Sequence, residues 1–344
     1  MLQWGNTGLR SMNSAFDGNS RLESIPADNT GAFAEVTSFG YCFRGCSSLT
    51  DLPEGLFANC PNVTDFGSCF SGCSSLTDLP EGLFANNPNV ISFNSCFSYC
   101  SSFTKIPENL FANTSKVTSA RFCFYECDNL TTIPAKLFEN CVYITDFGYC
   151  FDNCNNLTVI PESLFINNIN ANDFYSCFGS NPNLTSIPEA LFAGCPNVTN
   201  FSYCFYKCSS MTELPEGLFA NNPNVTDFRY CFEYCSSLTD LPEGLFANCP
   251  NVTDFGSCFR KCSSLTEVPV SLFDNNRMVL DFYDTFYRCS LSGESPYTEI
   301  DGVKYHRYER CNAPDYFNTP TSYGACFNNG YNLTDWDSIP SDWK

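Results

Sequence analysis

Residues Cys46–Phe70 read CSSLTDLPEGLFANCPNVTDFGSCF, and residues Cys235–Phe259 repeat them without a change. The two copies are offset by 189 residues, which is seven periods of 27. Single residues keep the same beat. Phe16, Phe43, Phe70, Phe97, Phe124, Phe151, Phe178, Phe205, Phe232, Phe259 and Phe286 stand 27 apart. So do Phe57, Phe84, Phe111, Phe138, Phe165, Phe192, Phe219, Phe246 and Phe273. A period of this size with no insertion over ten intervals marks a solenoid. In such a fold each coil buries its apolar face only by stacking on its neighbours.

Each coil has two related halves, one like Leu49–Cys60 and one like Val63–Cys73. Each half starts with a short extended segment holding two apolar residues three apart, then makes a compact turn. Pro53 suits the start of a short helical turn and Glu54 its positive end. Two strand positions and two short helical or 3-10 turns per coil are predicted. Residues 1–30 read as a divergent capping coil and 31–289 as regular coils. Residues 290–319 read as an insertion with a hairpin at Asp301-Gly302, and 320–344 as a C-terminal capping coil closed by Trp336 and Trp343. All of 1–344 then forms a single solenoid of about 12 coils.

The pattern L-x-x-L-P-x-x-L-F-x-x-C-x-N-V resembles the variable half of a leucine-rich repeat. Combined with C-F-x-x-C-x-x-L-T, it is similar to the BspA-like leucine-rich repeats of bacterial surface proteins. The resemblance covers about 290 of the 344 residues. It implies an α/β solenoid, a right-handed leucine-rich-repeat coil stack, on the cell surface or secreted, and adhesive. The ordinary L-x-L-x-x-N turn is here replaced by F-x-x-C-F-x-x-C.

Composition narrows the function. A net charge of -20 argues against a nucleic-acid partner, since phosphates need clustered Lys and Arg. No run of 18 apolar residues exists, so no membrane insertion is expected. The start, MLQWGNTGLRSMN, lacks the basic and apolar regions of a secretory signal, and a removed leader is the favoured reading.

Twenty-four cysteines suggest disulfides, but the columns argue otherwise. Asn181 breaks the column that runs from Cys46 to Cys289. A third column swaps Cys60, Cys141, Cys195 and Cys249 with Asn87, Thr114, Asn168, Asn222 and Asn276. Such swaps fit small buried thiols in a stacked ladder. No metal or cofactor is expected, because structural zinc prefers C-x2-C knuckles and the chain has one histidine. That histidine, His306, has no Ser or Cys motif near it in sequence, so the chain reads as no enzyme.

Function is sought where coils of one chain differ. Four columns, those of Gly40, Tyr41, Arg44 and Gly45, hold 11 of the 18 tyrosines, and seven basic residues against four acidic ones. The candidate ligand-binding residues are Tyr41, Tyr99, Arg121, Tyr125, Tyr149, Tyr203, Tyr206, Lys207, Arg229, Tyr230, Tyr234, Arg260 and Lys261. Tyr, Ser, Gly, Asn and Arg are the residues of adaptable contact surfaces. The expectation is a non-enzymatic binding or adhesion module engaging a host or bacterial surface protein or glycan, anionic ligands included. The alternatives are a structural spacer or appendage repeat, phage-borne ones among them, and an ice-binding solenoid using the Thr columns.

Overall fold

A computed structural model describes residues 3–5 and 8–344, so Met1, Leu2, Asn6 and Thr7 of the expected first coil lie outside the described residues. The chain forms two compact units, Met1–Ala171 and Asn172–Lys344.

In the first unit, successive coils meet in a parallel ladder of single bridges running Ser38, Asp65, Ser92, Ser119, Asp146. Phe39, Tyr41, Phe43 and Gly45 donate N–H bonds of 2.7–2.9 Å to the carbonyls of Asp65, Gly67, Cys69 and Ser71 one coil on. The intervening N–H groups of Cys42, Arg44 and Cys46 fold back to the carbonyls three residues earlier. The F-x-x-C-F-x-x-C edge is therefore a run of tight turns whose alternate N–H groups hold the next coil. In the second unit the same ladder runs Asp173, Asn200, Asp227, Asp254, Asp281, Ser322.

The expected strands and helical turns do not form in the regular coils. On the tight-turn edge each strand position is one bridge long, the other position is bridged among the described residues at Lys105–Thr132, and the P-E-G-L-F segments are turns in which, for example, Leu56 N–H donates to Pro53 O. On the tight-turn edge the cause lies in the backbone. Tyr41 and Gly45, four residues apart, are both left-handed at φ 59° and 69°; in the P-E-G-L-F turns Gly55 and Gly82 are left-handed at 73° and 70°, whereas Gly217 and Gly244 are not. A right-handed helix cannot run through such residues.

Phenylalanine fills the interior. In the first unit Phe43, Phe70, Phe97 and Phe124 stack with ring centroids 5.5–5.7 Å apart. In the second, Phe205, Phe232 and Phe259 stack at 5.6–5.7 Å. All of these rings are fully buried, each contributing roughly 2–3 kcal/mol of burial.

The cysteine columns serve as donors as well as fillers. The cysteines are thiols, buried except for Cys311. Cys73 Sγ donates to Phe43 O at 3.2 Å, and Cys235 Sγ to Phe205 O at 3.3 Å. In the third column Asn87 Nδ2 donates to Cys60 O (2.9 Å) and Phe57 O (3.3 Å). Asn222 does the same to Cys195 O (2.8 Å) and Phe192 O (3.2 Å). Cys249 Sγ reaches Asn222 O and Phe219 O at 3.6 and 3.8 Å. Cys141 and Cys249 can stand where other coils have Asn because their thiols reach the same two carbonyls of the preceding coil, while Cys60 and Thr114 donate to Phe57 O and Phe111 O of their own coil.

The end of the second unit uses that rule again. Residues 290–319 contain strand β1 (Ser292–Gly293) and a hairpin of β2 (Tyr297–Ile300) and β3 (Val303–His306), turned by left-handed Asp301 and Gly302. A 3-10 turn follows at Arg307–Asn312, and β1 pairs in parallel with β4 (Asn332–Leu333). No further column residue follows Asn276. Instead Arg310, fully buried, donates to Asn276 O (2.7 Å) and Phe273 O (3.0 Å). Its guanidinium takes the place of the missing coil's Asn amide. Arg307, equally buried, adds a bond of 3.2 Å to Phe273 O.

Candidate binding surface

The four variable columns all lie on the tight-turn edge. An Asx or ST turn starts each edge segment. Asp65 Oδ1 accepts from Gly67 N, and Asp254 Oδ1 from Gly256 N, both at 2.8 Å. Ser38 and Asn200 do the same job with Oγ and Oδ1. The first of the two left-handed positions is the Tyr41 column, and the second is the Gly45 column. Tyr41, Tyr149, Tyr203 and Tyr230 hold the first at φ 57–59°, and Tyr99, Lys207, Tyr234 and Lys261 hold the second at 59–64°. This conformation costs a residue with a Cβ about 1–2 kcal/mol. Gly45 and Gly72 show the residue the geometry favours.

In the first unit, Tyr41 is exposed beside Arg44, whose guanidinium lies 5.0 Å from its ring centre. Tyr99, Phe122, Tyr125 and Tyr149 form a cluster. Phe122 and Tyr149 stack at 4.4 Å, and Tyr125 stands edge-on to Tyr99, Phe122 and Tyr149. Arg121 lies over Phe122 and Tyr149 and is 3.4 Å from Asp146. Burial is the main cause that pushes the Tyr125 phenol up, helped by its bond to Glu126.

In the second unit, Tyr203 and Tyr230 stack at 4.5 Å, and Tyr206 stands edge-on to Tyr203 and Tyr234. Burial, then Tyr230 and Tyr175, raises the Tyr203 phenol to about 12. Lys207 lies 5.0 Å from the Tyr206 ring centre, and Lys261 bonds the Tyr234 hydroxyl, which lowers that phenol's pKa.

The net positive edge expected from sequence is corrected by ion pairing. Arg229 sits 3.6 Å from Asp254, and Arg260 bridges Glu233 and Asp284. The Asp227, Asp254, Asp281 ladder runs alongside. Burial, then its two neighbours Asp227 and Asp281, pushes the Asp254 carboxyl up to about 6, with Gly256 N–H acting against it. Asp65, Asp146, Asp227, Asp254 and Asp281 escaped the list of candidate residues because Ser and Asn interrupt their column.

His306 does have a serine beside it, brought from outside its sequence neighbourhood. Ser295 Oγ is 2.9 Å from His306 Nδ1 and donates to Asp335 Oδ2 at 2.5 Å. Asp335 Oδ2 lies 3.4 Å from the same Nδ1. A nucleophile, base and orienter need the imidazole between hydroxyl and carboxylate. Here both face one nitrogen, and Ser295 is fully buried, so the network fastens the C-terminal segment. Among the described residues no three His, Cys, Asp or Glu side chains converge as metal ligands. No helix there is long and apolar enough to cross a membrane.

A family model described as BspA type leucine-rich repeat region matches in overlapping stretches, 10–147, 119–253 and 148–312. The chain belongs to the BspA-type leucine-rich repeat family. Among solved structures this BspA-type chain is similar to a leucine-rich repeat protein from Bacteroides ovatus, at 17% identity and a TM-score of 0.27, covering 94% of this chain and 87% of that one. It is also similar to a leucine-rich cell surface protein from Faecalibacterium prausnitzii, at 17% identity and a TM-score of 0.34, covering 84% and 81%. A third is the Drosophila Toll–Spatzle complex, at 16% identity and a TM-score of 0.43, covering 74% of this chain. This chain spans 35% of the length of that Toll structure's chain. No curated protein matches.

Proposed function

We propose that this BspA-type chain is a non-enzymatic binding module of a bacterial surface protein, engaging a surface protein or glycan through the aromatic clusters of its tight-turn edge. One observation carries the reading. Large amphipathic side chains occupy left-handed positions where Gly would sit without strain, as at Tyr99, Tyr203, Tyr230 and Tyr234. A spacer has no use for that cost. Tyrosine gives a contact surface large area with little rotamer entropy to lose. Arg121, Arg229 and Arg260 are engaged with carboxylates, so contact rests on ring faces and hydroxyls more than on net charge.

The test is a glycan and host-protein array probed with the chain, followed by Tyr206→Ser, Tyr230→Ser and Tyr234→Ser together. Ser already stands at left-handed Ser95 and Ser180 in these columns, so folding should be kept. The array ligand should lose at least ~2 kcal/mol of binding if these are hot spots. Unchanged binding, with loss on neutralising Glu189, Glu216 and Glu243, which hold the Glu54 position in later coils, would place the site on that glutamate column instead.

A further inference from the structure

The first unit's aromatic cluster borders an open, shallow cleft of about 270 Å³ lined by Ser95, Ser98, Tyr99, Phe122 and Tyr125. We propose that this cleft takes one neutral sugar ring, an inference that rests on the binding-module reading above and names a ligand class for it. Size comes first. The volume lies just below the range of sites for drug-sized ligands, which suits a single ring. Chemistry comes second. None of the five lining side chains is charged, and the neighbouring Glu126 carboxylate is bonded to the Tyr125 phenol, so an anionic group gains no ion pair there. Arg121 is turned over Phe122 and Tyr149 and lies beside Asp146. The walls are aromatic, with Tyr125 at 83° to Tyr99 and 88° to Phe122. The C–H face of a pyranose can lie on one ring while its hydroxyls meet Ser95 Oγ and the Tyr99 phenol; Ser98, buried and donating to Ser71 Oγ and Ser95 O, forms the floor.

A peptide strand fits less well. The N–H groups of all five lining residues are already spent within the fold. Ser95, Tyr99 and Phe122 donate to Arg121 O, Tyr125 O and Gly148 O one coil on. Ser98 and Tyr125 donate to Ser95 O and Phe122 O. Strand addition draws its affinity from open main-chain donors and acceptors, and the donors here are taken.

The experiment is saturation-transfer NMR on the full chain with methyl β-glucoside, methyl β-galactoside and N-acetylglucosamine as probes. In parallel, ring signals of 13C-labelled tyrosine are followed in the unsubstituted protein. We expect transfer to ring C–H protons of at least one probe, with affinity in the millimolar range typical of so small a ligand, and shifts of the Tyr99 and Tyr125 signals. Tyr99→Ser with Tyr125→Ser should weaken that binding at least tenfold. No transfer from any probe, or transfer without movement of those two signals, overturns the proposal even if the double variant fails to fold. A proline-rich peptide that shifts the same signals when the sugars do not overturns it as well. If the sugars fail while an array ligand is still lost with Tyr206, Tyr230 and Tyr234, only this inference falls. If the sugars bind and that triple substitution leaves the array ligand untouched, the site proposed for that ligand falls and the cleft stands.

Discussion

Asn222 gives a test in which the sign of the effect depends on the donor rule of the third column. Its amide is fully buried and donates to Cys195 O and Phe192 O, while its Oδ1 has no hydrogen-bond partner. Asn222→Ala removes two hydrogen bonds worth ~1 kcal/mol each and leaves a small cavity, partly offset by loss of the orphan oxygen. A net cost of about 2 kcal/mol follows. Asn222→Cys keeps a donor aimed at the same carbonyls, as Cys249 does one coil later, and removes the orphan oxygen. Its cost should lie within ~1 kcal/mol of zero. Asn222→Asp is nearly isosteric but sets a buried carboxyl group against two carbonyls. It should cost more than ~3 kcal/mol. The assay is urea unfolding at neutral pH under reducing conditions, followed by far-UV circular dichroism. Repeat arrays need not unfold in one step, so midpoints are compared rather than extrapolated free energies. The expected order of midpoints is wild type close to Cys, then Ala, then Asp. If Asp is no worse than Ala, or Cys is as poor as Ala, the column selects for size alone and the donor argument fails.

Three further outcomes follow from the same structure. Arg310→Ala uncovers the carbonyl of Asn276 and leaves that of Phe273 to Arg307 alone, so hydrogen exchange should rise first in residues 265–289 and stability should fall by about 2 kcal/mol; uniform or unchanged exchange would show that the guanidinium is no cap. Lys207→Gly relieves a left-handed residue at φ 59° and should raise stability by about 1 kcal/mol in thermal melts, whereas a loss of that size would mean its contact with Tyr206 outweighs the strain. Asp254 has a folded pKa of about 6 against an ordinary 3.8, so its ionisation opposes folding and stability from this group falls as pH rises between those values; Asp254→Asn, which keeps the turn as Asn200 does, should add about 1 kcal/mol at pH 7 after allowance for solvent and flatten that slope, and a steeper slope would refute it.

The 27-residue frame was legible because Phe43, Phe57, Phe66 and Phe70 face a continuous interior, and stacking demands the same ring at the same place in each coil. The backbone of the edge was not. Left-handed residues are read from Gly and Asn, and Gly18, Gly45, Gly72 and Asn153 announce their column, but Tyr99, Glu126 and Lys207 among them obscure it. The coils consequently looked helical where they are tight turns. The thiols of Cys73 and Cys235 read as small fillers, since a sequence does not show which carbonyl needs a donor. Burial of Arg307 and Arg310 was hidden for a related reason. A charged side chain is expected at the surface until an unfinished row of carbonyls is seen to require it. Of the candidate residues, Tyr99, Tyr125 and Tyr149 meet in the first unit and Tyr203, Tyr206, Tyr230 and Tyr234 in the second, Tyr41 stands apart beside Arg44, and Arg121, Arg229 and Arg260 are matched by Asp146, Asp254 and Glu233.

Hydroxyl-radical footprinting of the chain with and without an array-selected ligand shows whether ligand meets the tight-turn edge. Tyr143 and Tyr331, exposed at 58% and 64% and outside the variable columns, serve as internal controls. Protection of Tyr99 and Tyr125, or of Tyr206, Tyr230 and Tyr234, with the two controls still labelled at their free rate is the predicted result. Protection of Tyr143 or Tyr331 with the edge tyrosines unchanged would contradict the account.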